Sequence, residues 1–171
     1  MPVNIQNIII GACSSFKCDT IDVGGTDGGV SINPRDTFKD IQVDQVIGIV
    51  KKARTNRVVQ IVTTLKESTL ENLKLAFNLN STITTDGTSG DKTLGIGVDT
   101  STTEHTLQFV GPGPDGFTRT FNVNRAIGYA SGNYQIRKDQ ESVVQVTFDC
   151  LPDLSKTAGQ EYGTIVESDG V

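Results

Sequence analysis

The sequence predicts a mainly β fold, a β-sandwich or small barrel with one flanking α-helix over about residues 69–78. Three observations predict it. Several segments alternate apolar and polar residues with the two-residue period of a half-buried strand. Only the segment after Ser68 switches to the three- and four-residue spacing of an amphipathic helix. The 18 glycines, with abundant Thr, Val and Asn, favour turns and strands over further helices. A length of 171 residues suits one domain, taken as 1–171, with room for a sizeable core.

The stretch Thr55 to Phe77 organises the rest, because it reads as a strand running into that helix. Val59, Ile61, Thr63 and Leu65 fall on one face, and Val58, Gln60, Val62 and Thr64 on the other, so both faces are at least half apolar. Ser68-Thr69-Leu70-Glu71 has the form of a capping box with Ser68 as N-cap. Leu70, Leu73, Ala76 and Phe77 then make the packing face, opposite Glu71, Asn72, Lys74 and Asn78.

From the start of the chain, Val3 to Ala12 holds an apolar run around Ile5 and Ile8-Ile9-Ile10, which fits an opening strand or an arm. Glycine pairs at Gly24-Gly25 and Gly28-Gly29 lead into a short strand at Val30-Ser31-Ile32, and Pro34-Arg35-Asp36-Thr37 reads as a turn. Within the ambiguous span Phe38 to Ala53, the β-branched run Val46 to Val50 favours a strand. The basic cluster of Lys51, Lys52, Arg54 and Arg57 is expected at a hairpin tip, solvated or facing an acidic patch on a neighbouring copy.

Asn80 to Glu104 is a long polar stretch whose Asp86, Asp91 and Asp99 fit no EF-hand spacing and read as turn aspartates. Gly111 to Gly116 formally matches a dinucleotide-binding fingerprint, but two prolines and a following strand pattern make it a hairpin loop between Thr106–Val110 and Phe117–Val123. Glu141 to Leu151 alternates clearly, with Val144, Val146, Phe148 and Cys150 inward; Pro152-Asp153 ends it, and a polar tail follows through Tyr162.

Function is narrowed first by exclusion. No apolar run approaches the roughly 18 to 20 residues of a membrane span, and no secretory signal is visible, so a soluble chain without membrane insertion is expected. The net charge of −5 disfavours a general nucleic-acid grip. Cys13, Cys18 and Cys150 lack the spacing of a zinc or redox motif and read as buried or incidental thiols; His105, the single histidine, reads as a surface residue at a strand start. No catalytic, metal-ligating or cofactor-binding set emerges, and an enzyme is not expected.

Several pieces then stand in a familiar order: Gly28-Gly29-Val30-Ser31-Ile32, Val43-Asp44-Gln45, and a strand entering Leu65-Lys66-Glu67-Ser68-Thr69-Leu70-Glu71-Asn72-Leu73. Gly116-Phe117-Thr118-Arg119-Thr120-Phe121 and Val146-Thr147-Phe148-Asp149-Cys150-Leu151-Pro152-Asp153 follow. Together they resemble the major tail tube proteins of phages with long, non-contractile tails. The resemblance implies a structural virion protein, made in the host cytoplasm, that stacks as rings of six into a tube for genome delivery. It implies self-contacts, tape-measure, tail-terminator and tail-tip proteins as partners, and DNA that passes without specific binding. Six copies would carry roughly −30, which suits a channel that does not hold DNA.

By position, the resemblance implies an N-terminal arm (about 1–12), a long loop (about 33–45) and a C-terminal tail (about 155–171) as subunit contacts. The residues concerned are Val3, Ile5, Ile8, Phe38, Asp40, Asp44, Gln45, Tyr162 and Ile165, with Lys51, Lys52 and Arg54 of the basic cluster beside them. Tubes of bacterial secretion or bacteriocin machines share such a fold and are one alternative. A monomeric β-sandwich that binds a ligand such as sugar is the other, although tryptophan is absent and only three tyrosines offer stacking surfaces.

Overall fold

A computed structural model describes residues 4–98 and 100–169; Val3 and Asp99 lie outside the described residues. In chain order the elements are β1 (Ser15–Cys18), β2 (Ile21–Asp22), β3 (Thr26–Ile41), β4 (Lys51–Leu65), α1 (Leu70–Ala76), β5 (Thr84–Thr85), β6 (Lys92–Thr93), β7 (Glu104–Pro112), β8 (Thr118–Ala130), β9 (Val144–Cys150) and β10 (Gly163–Ser168). The main antiparallel sheet runs β2-β1-β7-β8-β9-β4-β3, with β10 added to β8, while β5 and β6 pair separately. The fold is mainly β with one α-helix, as the alternation patterns predict.

The strand order forces the sheet to curl. β2 and β3 stand at opposite ends of it, yet only Val23, Gly24 and Gly25 separate them in the chain. The two ends must therefore lie close together, and Lys66 N–H donates to Gly25 O at 2.9 Å where the connecting link enters β3. Across the interior, Phe16 of β1 packs edge-on against Phe148 of β9, with ring centroids 5.8 Å apart. The buried core collects Phe16, Ile61, Leu65, Leu107, Phe109, Val144, Val146 and Phe148. The predicted inward face of β9, Val144, Val146, Phe148 and Cys150, is found there, and of the two half-apolar faces of β4 the one with Ile61, Thr63 and Leu65 is the buried one.

Helix α1 closes the curled sheet with Ala76 buried and Leu73 packed against the core as the spacing suggests, but with Asn72 turned inward and Phe77 outward. Asn72, Leu75 and Ala76 are its buried residues, and Phe77 is exposed. A polar residue can lead the buried face because the Asn72 carboxamide N–H groups donate to Val23 O and Glu67 O, each at 2.8 Å, leaving no unpaired donor. That contact joins the helix start to the link between β2 and β3. The N-cap is Thr69, whose hydroxyl accepts from Asn72 N–H at 3.1 Å, and Ser68 instead donates to Ser142 O. Thr69→Ala is expected to lower stability by about 0.5–2 kcal/mol. A denaturation midpoint unchanged by that substitution would contradict the cap.

Three further expectations are corrected. Pro34 to Thr37 is no turn but the middle of β3, with Pro34 opposite Val59; β3 is an edge strand, where a residue without an N–H is tolerated. Most of the expected long loop over 33–45 is therefore strand. The run Val46 to Val50 is a turn connecting β3 to β4, closed by Val50 N–H to Ile41 O at 3.0 Å, and the basic cluster lies within β4. The expected polar tail forms β10, in register with Thr118–Val123 of β8.

Residues 4–14 form a 3-10 turn at Ile5–Asn7 and no strand. Gly28 and Gly29, at φ of 69° and 77°, supply the left-handed backbone of a bulge between Asp27 and Val30 of β3. The Gly111–Gly116 loop joins β7 to β8 as a hairpin. Asp86 accepts from the Thr88 and Ser89 N–H groups and so closes the β5–β6 turn.

Candidate functional site

The outer part of the β3–β4 hairpin is built differently from the rest of the sheet. Among the described residues β4 pairs with β9 only from Val59 to Leu65, so Lys51 to Val58 are partnered by β3 alone there. β3 is bonded on one side along its whole length. From Pro34 to Val58 every residue is exposed apart from Asp36 and Ala53, which are half-buried. A two-stranded ribbon thus extends beyond the core with both edges open. Isolated ribbons of this kind are at best marginally stable in water.

The ribbon is stiffened by side chains that pair across it. Asp36 grips Arg57 through two hydrogen bonds of 2.7 and 2.9 Å and also holds Arg54 at 3.1 Å. Lys52 meets Asp40 at 3.4 Å, and the Arg54 guanidinium lies 5.7 Å from the centre of the Phe38 ring. Thr55 donates to Thr37 O, and at the base the Tyr162 hydroxyl donates to Arg57 O at 2.7 Å. Each exposed pair contributes little alone. The basic cluster expected to face solvent or a neighbouring copy therefore spends Lys52, Arg54 and Arg57 on its own hairpin.

The Arg57 hydrogen bonds, helped by the Arg54 charge, hold the Asp36 carboxyl below its ordinary value of 3.8. Folding lowers this pKa, so the pairs add stability above pH 3.8 and lose it as pH falls through the folded value. Asp36→Asn is expected to lower the thermal midpoint at neutral pH and to match the unsubstituted chain in strong acid. A midpoint difference that persists in strong acid would contradict this role.

At the ribbon's end the turn presents Val43, Val46, Ile47, Ile49 and Val50 to solvent, with Ile47 at 107% of its reference exposure. These five exposed β-branched residues form one cluster rather than single scattered side chains. Phe38, Asp40, Asp44, Gln45, Lys51, Lys52 and Arg54 all lie on this one hairpin, and Tyr162 is at its base. The other expected contact residues lie apart from it. Ile5 and Ile8 are exposed on the arm, with Ile8 beside the Pro112–Gly116 turn, and Ile165 is exposed on β10. The apolar tip itself was missed by strand-like spacing; its five β-branched residues within eight positions, with Gly48 among them, were the available signal.

β10 offers another open edge. It covers Thr118–Val123 of β8, while β9 covers Ala126–Ala130 of the same β8 edge. Beyond Cys150 the sheet forks, with β10 on one branch and the β3–β4 ribbon on the other. Ile165 and Val166 of β10 are exposed beside the fork. Open edges of this kind pair readily with further strands.

A separate group of side chains gathers where β1 meets β7. His105 lies at the start of β7 as expected, yet its side chain is only 15% exposed and its Nδ1 lies 2.8 Å from Asp19 Oδ2. Cys18, Asp19 and His105 place one donor atom each within 4.8 Å of one another. All three line a half-open cleft of about 630 Å³ between β2, α1 and the polar stretch after it. Burial, with the Asp19 charge adding to it, pushes the Cys18 thiol up to about 12. Burial also opposes ionisation of Asp19, but the His105 and Thr106 hydrogen bonds outweigh it and hold that carboxyl below its ordinary range. The three cysteines are free thiols, with Cys18 and Cys150 buried and Cys13 half-buried.

No protein-family model matches the sequence, and no curated protein sequence matches it significantly. Among the described residues, no helix is long and apolar enough to cross a membrane.

Proposed function

We propose that this chain is a structural subunit that polymerises through many copies of itself into stacked rings, forming the tail tube of a phage with a long, non-contractile tail. The observation that carries the reading is the β3–β4 ribbon, which exposes two strand edges and an apolar tip that no described residue of its own chain covers. A chain that worked alone would be selected against such edges, because they invite pairing with other molecules. A ring of identical subunits closes edges by supplying each from a neighbour. The open edge of β10 and the exposed arm around Ile5 and Ile8 supply further surfaces for that purpose.

In this reading the subunit performs no chemistry of its own. Its partners are other copies, the tape-measure protein and the proteins that end the tail, and its place is the virion. The acidic balance of −5 per copy favours a lumen through which DNA slides without binding. Electron microscopy of the purified chain tests the proposal: hollow filaments or rings with a channel wide enough for duplex DNA are expected. Particles that stay single at high concentration and bind a glycan would instead identify a monomeric binding module.

A further inference from the structure

We propose that Cys18, Asp19 and His105 form a zinc site, with the fourth position open to water from the adjoining cleft. The inference is independent of the tube reading. Cys18 is the last residue of β1, and the register sets it opposite Leu107 of β7, two residues beyond His105. Asp19 follows in a left-handed conformation, φ 56°, and its carboxylate oxygens reach both His105 Nδ1 and Thr106 N–H, the latter at 2.9 Å. Asp19 N–H donates in turn to Thr106 O at 2.7 Å, so the strand end and the start of β7 are fixed to each other.

The donor types select the ion. One thiolate, one imidazole and one carboxylate with a free position suit zinc, whereas calcium and magnesium require sets made of oxygen. Bonds of roughly 2.0–2.3 Å require the widest donor pair to close by about 1 Å. Asp19 Oδ2 and His105 Nδ1 already lie 2.8 Å apart, so the pair that closes includes the Cys18 sulfur, and the Asp19–His105 hydrogen bond gives way as both groups turn to the ion. The Thr106 N–H bond to its carboxylate is the kind of outer contact that orients a metal ligand. On binding, the Cys18 thiol gives up its proton to solvent through the cleft and its sulfur takes the cation in its place. The ion then ties the turn after β1 to β7 and raises thermal stability.

Cobalt(II) is the spectroscopic probe. Untagged full-length chain, freed of metal with a chelator, is titrated with cobalt and then with zinc. One equivalent of cobalt is expected to give a sulfur-to-metal charge-transfer band with strong visible bands of a tetrahedral site, and one equivalent of zinc to bleach both and raise the thermal midpoint. Cys18→Ser should abolish the charge-transfer band, His105→Gln should weaken binding by more than about tenfold, and Cys13→Ser should change neither. Absence of saturable binding, a band that survives Cys18→Ser, or loss of the band in Cys13→Ser would overturn the site. Should Cys18→Ser fail to fold, unchanged affinity in His105→Gln overturns it equally.

Discussion

Phe148→Ala is expected to lower the free energy of unfolding by about 3–5 kcal/mol. The side chain is 0% exposed, and its ring reaches from β9 to Phe16 of β1, three strands away along the sheet. It also passes beneath Gly128 of β8, where a Cβ would stand only 2.9 Å from its Cε1. Its removal leaves a gap that Gly128, having no side chain, cannot refill. The surrounding strands are held in register by their ladders, so little collapse is available to reduce the cost. Urea unfolding measures the effect, with the midpoint falling and the slope unchanged. A loss below about 1 kcal/mol would mean that the sheet does not close around this ring.

Replacing Val46, Ile47 and Ile49 together by Ser is expected to abolish polymerisation while leaving the subunit folded. All three side chains are exposed in the single copy, so their loss removes little burial from the subunit itself. In the proposed assembly the same side chains would leave water, and each fully buried aliphatic side chain contributes about 1.5–3 kcal/mol. Three such losses repeated at every contact exceed what a marginal interface tolerates. Light scattering during assembly should fall to the baseline, with a thermal midpoint of the dilute chain close to that of the unsubstituted protein. Unaltered polymerisation would place the contacts elsewhere, and a collapsed midpoint would show that the tip packs within its own subunit.

What the sequence makes legible is what local pattern controls. The inward face of β9 and the two-faced alternation of β4 follow from strict alternation, and the β7–β8 hairpin from a glycine- and proline-rich loop between two alternating runs. β3 was hidden because Pro34 and Asp36 are turn formers locally, whereas the strand is held by partners about 20 residues away: Asp36 with Arg57, and in register Pro34 with Val59. Val46 to Val50 carries strand-forming residues yet lies at the reversal between β3 and β4, where no second strand is available to pair with it. Asn72 sits on the polar side of the helical spacing, but two backbone carbonyls from outside the helix draw it inward. Cys18 and His105 are brought together by the β1–β7 register, which joins segments that no spacing rule connects.

For the candidate surface the same division holds. Phe38, Asp40, Asp44, Gln45, Lys51, Lys52 and Arg54 are legible as neighbours because one hairpin carries them all. Their roles are not, since the charges among them serve chiefly to hold the ribbon while the apolar turn supplies the exposed surface.

Hydrogen–deuterium exchange tests most directly whether other copies cover the ribbon. Compared between dilute chain and concentrated, assembled chain, amides from Arg35 to Val58 should slow sharply on assembly, whereas those of β9, already protected in the sheet interior, should barely change. Equal exchange of the ribbon in both samples would show that it stays bare, and the subunit would then have to be explained without neighbours.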